Sequence, residues 1–267
     1  QNNPRILVIG DLMLDRFLFG KVDRISPEAP VPVINCFNEK NVLGGCGNVI
    51  RNLDNLGAVA RVISIIGSDV AGRIIMDLFK KKGISSKNIF CSKAIRTTEK
   101  MRIVAEQQQV ARVDWDAKFP SKLEYNSIIK IIPNEIEKAG CIIISDYAKG
   151  VCNDKTLKTI IENSRLNNVP VFIDPKGKNW EKYMNSYLIK PNKKEAEEIT
   201  GKKLVSNIDF EKAGLSICER YNIKACLITR GKDGMSYISE KLIFHLKSQA
   251  KEIFDVSGAG DTVSSTL

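Results

Sequence analysis

The sequence predicts an α/β fold of three layers, with a mostly parallel central sheet covered by helices on both faces and a small β-sheet lid. Three observations predict it. Short apolar strands alternate with helix-period segments over most of the chain, as repeated β-α units require. Two β-rich stretches, about 16–41 and 95–115, carry period-two alternation with no helix between their strands. Polar groups also gather at the carboxyl ends of five strands, the edge where an open parallel sheet binds ligands.

Taken in order, the first strand is expected at 6–9, an unbroken apolar run ending at Gly10-Asp11. The first lid segment follows, with Val31 and Val33 alternating and prolines at 27, 30 and 32. The turn Gly44-Gly45-Cys46-Gly47-Asn48 opens a helix whose stripe is Val49, Leu53 and Leu56. A strand at 59–66 leads to the clearest helix, where Ala71, Ile74, Ile75, Leu78 and Phe79 fall at i, i+3, i+4, i+7 and i+8. Met101 and Ile103 mark the second lid segment. Further strands are expected at 141–145, 169–173, 187–189 and 226–229, with a helix through Leu157, Ile160 and Ile161. The strand ends read Gly10-Asp11, Ser145-Asp146, Asp174-Pro175-Lys176, Lys190-Pro191-Asn192 and Thr229-Arg230-Gly231. Some of these suit helix caps; five together argue for a polar site.

The 267 residues, 43% of them hydrophobic, are enough for one large domain, or one domain with an appendage. No run approaches the roughly 18 apolar residues of a membrane span. The first strand begins almost at the N-terminus, which leaves no room for a signal peptide and predicts a cytoplasmic protein. Seven scattered cysteines, with no CxxC and no Cys/His cluster, read as reduced core residues. The only histidine, His245, sits in a strand-like alternation and reads as structural, which argues against a Ser-His-Asp triad and zinc hydrolase chemistry. The net charge of +10 is dispersed and lacks an aromatic-interleaved basic stripe. It describes a Lys-rich surface biased toward phosphates, with neither nucleic acid nor membrane as partner.

The segment with most chemistry is Asp255-Val256-Ser257-Gly258-Ala259-Gly260-Asp261-Thr262. An apolar stretch, 253–256, enters glycines and then a helix, so backbone N–H groups and a helix dipole converge on one anion site. Asp261 there is either a base beside a transferring phosphoryl group or a helix N-cap. Asn192-Lys193-Lys194-Glu195 opens a helix after a strand; Glu195 reads as a Mg²⁺ contact through water, or as half of a capping box. Thr229, Gly231 and Gly234 lie in a turn that suits a nucleotide phosphate tail, or an ordinary hairpin. Asp15 with Gly44, Gly45 and Asn48 suits sugar hydroxyls, or a plain glycine-rich turn. Neither a Walker A sequence nor a G-x-G-x-x-G after the first strand is present.

In that order and context the four motifs resemble the ribokinase-like (PfkB) carbohydrate kinase family over essentially the whole chain. Within it, residues 24–33, Gln108, Arg112, 145–150 and 174–177 look like those of the bacterial D-glycero-β-D-manno-heptose 7-phosphate kinases. The resemblance implies a ribokinase-like fold and ATP-dependent phosphorylation of the anomeric hydroxyl, giving the 1,7-bisphosphate for ADP-heptose and lipopolysaccharide core synthesis. It implies Asp261 as base and the N–H groups of Gly258, Ala259, Gly260 and Asp261 as anion hole. Asn192, Lys193, Lys194, Glu195, Thr229, Gly231 and Gly234 would attend ATP and Mg²⁺. Asp15, Gly44, Gly45 and Asn48 would hold the sugar, and Asp255 and Ser257 a monovalent cation such as K⁺. Arg112, Lys149 and Lys176 are candidates for the 7-phosphate, since a phosphate calls for Arg or Lys. Relatives continue beyond the helix that Asp261 begins, so residues 1–267 are expected to be a C-terminally truncated kinase domain. A homodimer through the lid is expected, because exposed strand edges invite pairing. The alternatives are a related kinase for another sugar or a nucleoside, and a non-catalytic sugar or nucleotide sensor.

Overall fold

The computed structural model describes residues 4–106, 108–116, 122–248 and 258–267. The chain opens with β1 (Arg5–Gly10) and passes at once into two fourteen-residue strands, β2 (Leu12–Ile25) and β3 (Pro32–Gly45), which run straight into α1 (Cys46–Asn55). Then come β4 (Val59–Gly67), α2 (Val70–Lys81), β5 (Ile89–Ser92), β6 (Thr98–Ala105), β7 (Gln108–Trp115), α3 (Lys122–Ile136), β8 (Cys141–Ser145) and α4 (Asp154–Leu166). The last third holds β9 (Val171–Asp174), β10 (Leu188–Ile189), α5 (Lys193–Thr200), α6 (Asn207–Tyr221), β11 (Ala225–Thr229), β12 (Met235–Ser239), β13 (Ile243–Leu246) and α7 (Ala259–Thr266).

Among the described residues nine strands form one sheet in the order β13-β12-β11-β10-β9-β8-β1-β4-β5, parallel except for the antiparallel pairs β11/β12 and β12/β13. Alternation along the central strands divides the core. Leu7, Ile9, Ile142 and Ile144 meet α3, α4 and α6 through Ile128, Ile132, Leu157, Ile160 and Phe210. Val8, Val62, Ile66 and Ile143 meet α1 and α2 through Val49, Ile50, Leu53, Ile75 and Phe79. Burial on both faces is what makes these strands read as continuous apolar runs. Leu56 falls outside the expected helical stripe: it is the exposed C-cap of α1. The ninth strand starts at Val171, just past Pro170, whose missing N–H cannot serve the ladder.

The second sheet has the order β3-β2-β6-β7: two antiparallel hairpins joined by the parallel pair β2/β6. Its strands reach beyond 16–41, because Leu12, Leu14 and Leu43 at its root are buried in the same core as α1 and α2. The two tryptophans divide between the sheets. Trp180 is 1% exposed against Tyr183 and Tyr221, whereas Trp115 ends β7 with the Arg96 guanidinium 5.0 Å from its ring centroid.

No helix among the described residues is long and apolar enough to cross a membrane. All seven cysteines are free; Cys46, Cys152 and Cys226 are buried, while Cys36 and Cys91 are exposed rather than in the core. His245 is held between Ser236 and Glu211 at 2.9 and 3.0 Å, the structural role its alternation predicts.

Candidate active site

Two cavities open at the carboxyl edge of the large sheet and share a wall of Tyr147, Gly258 and Asp261. One, about 1080 Å³, lies against α5, the β11–β12 turn and the start of α7. The other, about 420 Å³, lies under the lid.

Asp261 stands in the first turn of α7 and is 4% exposed. The capping reading does not describe it. The cap position is Gly258, at φ 83°, and no side chain caps there. The Asp261 carboxylate reaches instead across to other elements: Oδ2 accepts from Asn48 Nδ2 at 2.7 Å and Oδ1 from the Tyr147 hydroxyl at 3.0 Å. Gly258 has to be glycine, since a Cβ there would stand 2.5 Å from Asn48 Nδ2 as well as at a left-handed φ. Burial pushes the Asp261 carboxyl above the usual carboxylate range, while Asn48, Tyr147 and Lys190 pull it back.

Lys190, at the end of β10, is the buried cation nearest this helix start. Its ammonium lies 3.0 Å from Asp174 Oδ2, and a Cβ on Gly260 would sit 3.2 Å from the same Nζ. Burial raises the Asp174 carboxyl to about 6, with Lys190 opposing. Asn192, Lys193, Lys194, Glu195, Thr229, Gly231 and Gly234 all border the larger cavity, as do Gly258, Ala259 and Gly260. Asn192 and Glu195 do form a reciprocal capping box, and Glu195 Oε1 also takes the Lys176 ammonium at 2.9 Å. Of the two readings of that motif, the capping box is the one this pair displays. Gly234 is needed by the hairpin: a Cβ there would fall 1.9 Å from the Leu246 carbonyl.

In the smaller cavity, Asp15, Gly45, Asn48 and Arg112 are on the wall, with Gly44 behind Asp15. The lid's register builds the rest. Lys40, Phe17, Arg102 and Arg112 are direct cross-strand partners along one row, and Val42, Asp15 and Lys100 along the next. Arg102 donates to Asp15 Oδ1, Arg112 pairs with Asp114 at 2.9 Å, and Arg51 donates to Asn48 Oδ1. Lys100 stands 5.7 Å from the Tyr147 ring centroid. Its pKa is lowered by burial and by neighbouring Arg102 and Arg112, against Asp15 and Asp114.

Two expected phosphate holders lie elsewhere. Lys149 pairs with Asp116 at 2.6 Å and borders a small recess beside Asp11, because the loop carrying it is folded back. Lys176 borders the larger cavity, drawn there by Glu195. Asp255 and Ser257, and the expected strand at 253–256, are outside the described residues. Sequence reasoning passed over Lys190 and Asp174, although both were visible as polar strand ends, and over Tyr147 and the lid cations Lys40, Lys100 and Arg102, while naming Arg112. A separate groove of about 1020 Å³ near Tyr187 and Tyr237 shares none of these residues. Among the described residues no group of three or more His, Cys, Asp or Glu could hold a metal on its own.

The pfkB family of carbohydrate kinases matches residues 3–267. The chain is 42% identical over 265 residues to the bifunctional protein HldE of Aliarcobacter butzleri (strain RM4018), covering 99% of this chain and 56% of that protein. To the bifunctional protein HldE of Campylobacter curvus (strain 525.92) it is 40% identical, over 98% and 56% respectively. The chain therefore spans little more than half the length of these relatives. Among solved structures, phosphofructokinase-2 from Escherichia coli in complex with potassium is similar at TM-score 0.79 and 18% identity, over 98% of this chain and 84% of that one. Arabidopsis thaliana ribokinase complexed with ribose and ATP is similar at TM-score 0.75 and 16% identity, over 99% and 84%.

Proposed function

The chain belongs to the pfkB family of carbohydrate kinases, and from that premise we propose that it transfers the γ-phosphoryl group of ATP to the anomeric hydroxyl of D-glycero-β-D-manno-heptose 7-phosphate. The observation that carries this reading is a buried carboxylate, Asp261, in the wall common to two cavities. A nucleotide in the larger one and a sugar in the smaller one would meet at that side chain.

In this reaction Asp261 takes the proton of the sugar hydroxyl as its oxygen attacks the γ-phosphorus in line. The bond from phosphorus to the β–γ bridging oxygen breaks, and ADP leaves. The N–H groups from Gly258 to Asp261 and the positive end of α7 hold the transferring oxygens, with the Lys190 ammonium beside them. Asp15 and Asn48 orient the sugar hydroxyls. Mg²⁺ bound with ATP would neutralise charge on the β- and γ-phosphates; Glu195 and Asp174 are cavity carboxylates that fit such an ion. Asp255 and Ser257 are proposed for a monovalent cation, a reading supported by the potassium complex of a fold neighbour.

The cation row supports a phosphorylated sugar. Arg102 and Arg112 are directly opposite in register, and Lys40 lies in the same row. Like charges so arranged on a sheet repel, and a phosphate monoester among them turns the repulsion into charge-assisted hydrogen bonds. We therefore assign the 7-phosphate to Arg112 with Lys40, Arg102 and Lys100, in place of Lys149 and Lys176. The product would feed ADP-heptose and lipopolysaccharide core synthesis in the cytoplasm, where ATP is at hand. Exposed Phe37, Ile25, Val110 and Val113 on the lid strands support a homodimer through that sheet.

The test is ADP release with heptose 7-phosphate, fructose 6-phosphate, ribose and adenosine, with Mg²⁺ and K⁺ present. Turnover confined to the heptose phosphate is the expected result. Turnover of another acceptor would discard the heptose and keep the kinase. ATP binding without turnover of any would leave a sensor.

A further inference from the structure

We propose that Tyr147 is a positioning residue for the base, its hydroxyl aiming the Asp261 carboxylate into the gap between the two cavities. The inference rests on the reading of Asp261 as base. It starts from a problem of burial: at 4% exposure, desolvation pushes the Asp261 carboxyl toward its protonated form, and that form cannot accept a proton. The charged and titratable groups facing Asp261 do not resolve this alone. Lys190, from the end of β10, favours the ionised form but already pairs with Asp174 of β9. Asp15 from β2 and Asp174 both repel it. The Cys46 thiol at the start of α1 has its own pKa raised by burial and stays neutral.

Two neutral donors remain, one on each oxygen: Asn48 on Oδ2 and Tyr147 on Oδ1. Neutral donors stabilise the ionised base without placing a cation between it and the substrate hydroxyl. The Tyr147 hydroxyl suits this task, because burial and the nearby Asp261 keep it protonated far beyond any working pH.

The tyrosine is held in place by the loop that carries it. Asp11, itself buried, accepts the N–H groups of Tyr147 at 2.9 Å, Lys149 at 3.1 Å and Val151 at 3.0 Å. Asp146 accepts from Ala148 N–H at 2.7 Å, and Ala148 sits at φ 56°, a left-handed conformation that a non-glycine residue adopts only where its surroundings require it. Tyr183, at 2.6 Å, and Lys182 fix Asp146 in turn. Such a supporting shell is what preorganised sites need.

Tyr147→Phe tests the proposal, since it keeps the ring and removes only the donor. With the active substrate, kcat should fall about tenfold or more while both KM values stay within about twofold. The acid limb of kcat/KM should move up by about half a pH unit, because the lost donor favoured the ionised base. Carbon-13 NMR of Asp-labelled protein, with the Asp261 signal assigned by Asp261→Asn, should show that carboxyl titrating at higher pH in Tyr147→Phe than in the wild type. This second readout needs no turnover, so it decides the matter even where the substrate reading fails. An unmoved Asp261 titration would overturn the proposal. So would a loss of activity equal at every pH and accompanied by a lower melting temperature.

Discussion

The two cavities that share Asp261 are built by opposite means. The larger is set by local turns and strand ends: glycine turns at 231 and 234, the first turn of α7, and the buried Lys190 ammonium, with Asp174, Lys176 and Glu195 also on its wall. The smaller is made of ionised side chains on one face of the lid sheet, with Lys40, Arg102, Arg112, Lys100 and Asp15 on its wall. A phosphate tail common to all nucleotides needs only N–H groups and a dipole, and these are fixed once the chain has turned. A particular sugar phosphate needs charges at set spacings, and these are easily altered without disturbing the fold. One side should therefore govern turnover and the other the choice of acceptor.

The strongest blow to that division would come at the shared wall. Asp261→Asn is expected to lower kcat about 10³-fold with substrate affinities kept, as measured by single-turnover kinetics beside equilibrium binding. Lost binding in a folded protein would make Asp261 a ligand grip and merge the two sides. Next, Lys190→Gln should cost about 10²-fold in kcat and leave the KM of the sugar unchanged. It should also lower the melting temperature, since Asp174 loses the cation that holds its carboxyl down to about 6. The sign can be checked by pH: with that carboxyl raised from 3.8, its contribution to stability is full below 3.8 and lost as pH rises through about 6. The variant's deficit should therefore be small while Asp174 is protonated and widen as pH rises past about 6, where the wild-type carboxylate ionises beside Lys190 and the variant's has no such cation.

On the lid side, Arg112→Ala and Lys40→Ala are each expected to raise the KM of the phosphorylated sugar about tenfold. The KM of ATP and of the same sugar without its phosphate should not move; a matching rise for the unphosphorylated sugar would mean that the lid is only a cover. A smaller change is expected for Gly44→Ala. Its new Cβ would fall 2.2 Å from Asp15 Oδ2, so the carboxylate must swing away and the sugar KM should rise a few-fold. Least of all, His245→Gln, remote from both cavities, should leave kcat alone and cost about 1 kcal/mol in a denaturation experiment.

The same contrast explains what could be read from the sequence. Residues 192–195, 229–234 and 258–261 each occupy one local turn, so spacing along the chain is spacing in space. The central strands and the helix 71–79 are legible for a similar reason, since burial on fixed faces imposes a period. Lys40, Lys100, Arg102 and Arg112 lie on three strands and meet only through register, and that register contains shifts at Phe19/Gly20 and Ile103/Val104. No local pattern announces a bulge of that kind. Lys149 stands apart from the lid cavity for the opposite reason. It sits beside Tyr147 in sequence, but the grip of Asp11 on three successive odd-numbered N–H groups turns the loop and sends the two side chains apart.

The pair of tryptophans gives the molecule two built-in fluorophores, one for each sheet. Trp180 is sealed among Tyr183 and Tyr221 and emits from the core; Trp115 emits from the lid, under the guanidinium of Arg96. Trp115→Phe leaves a signal that follows only the melting of the large sheet. Trp180→Phe leaves one that follows only the lid, so that a rearrangement of that sheet can be read as a change in colour or intensity.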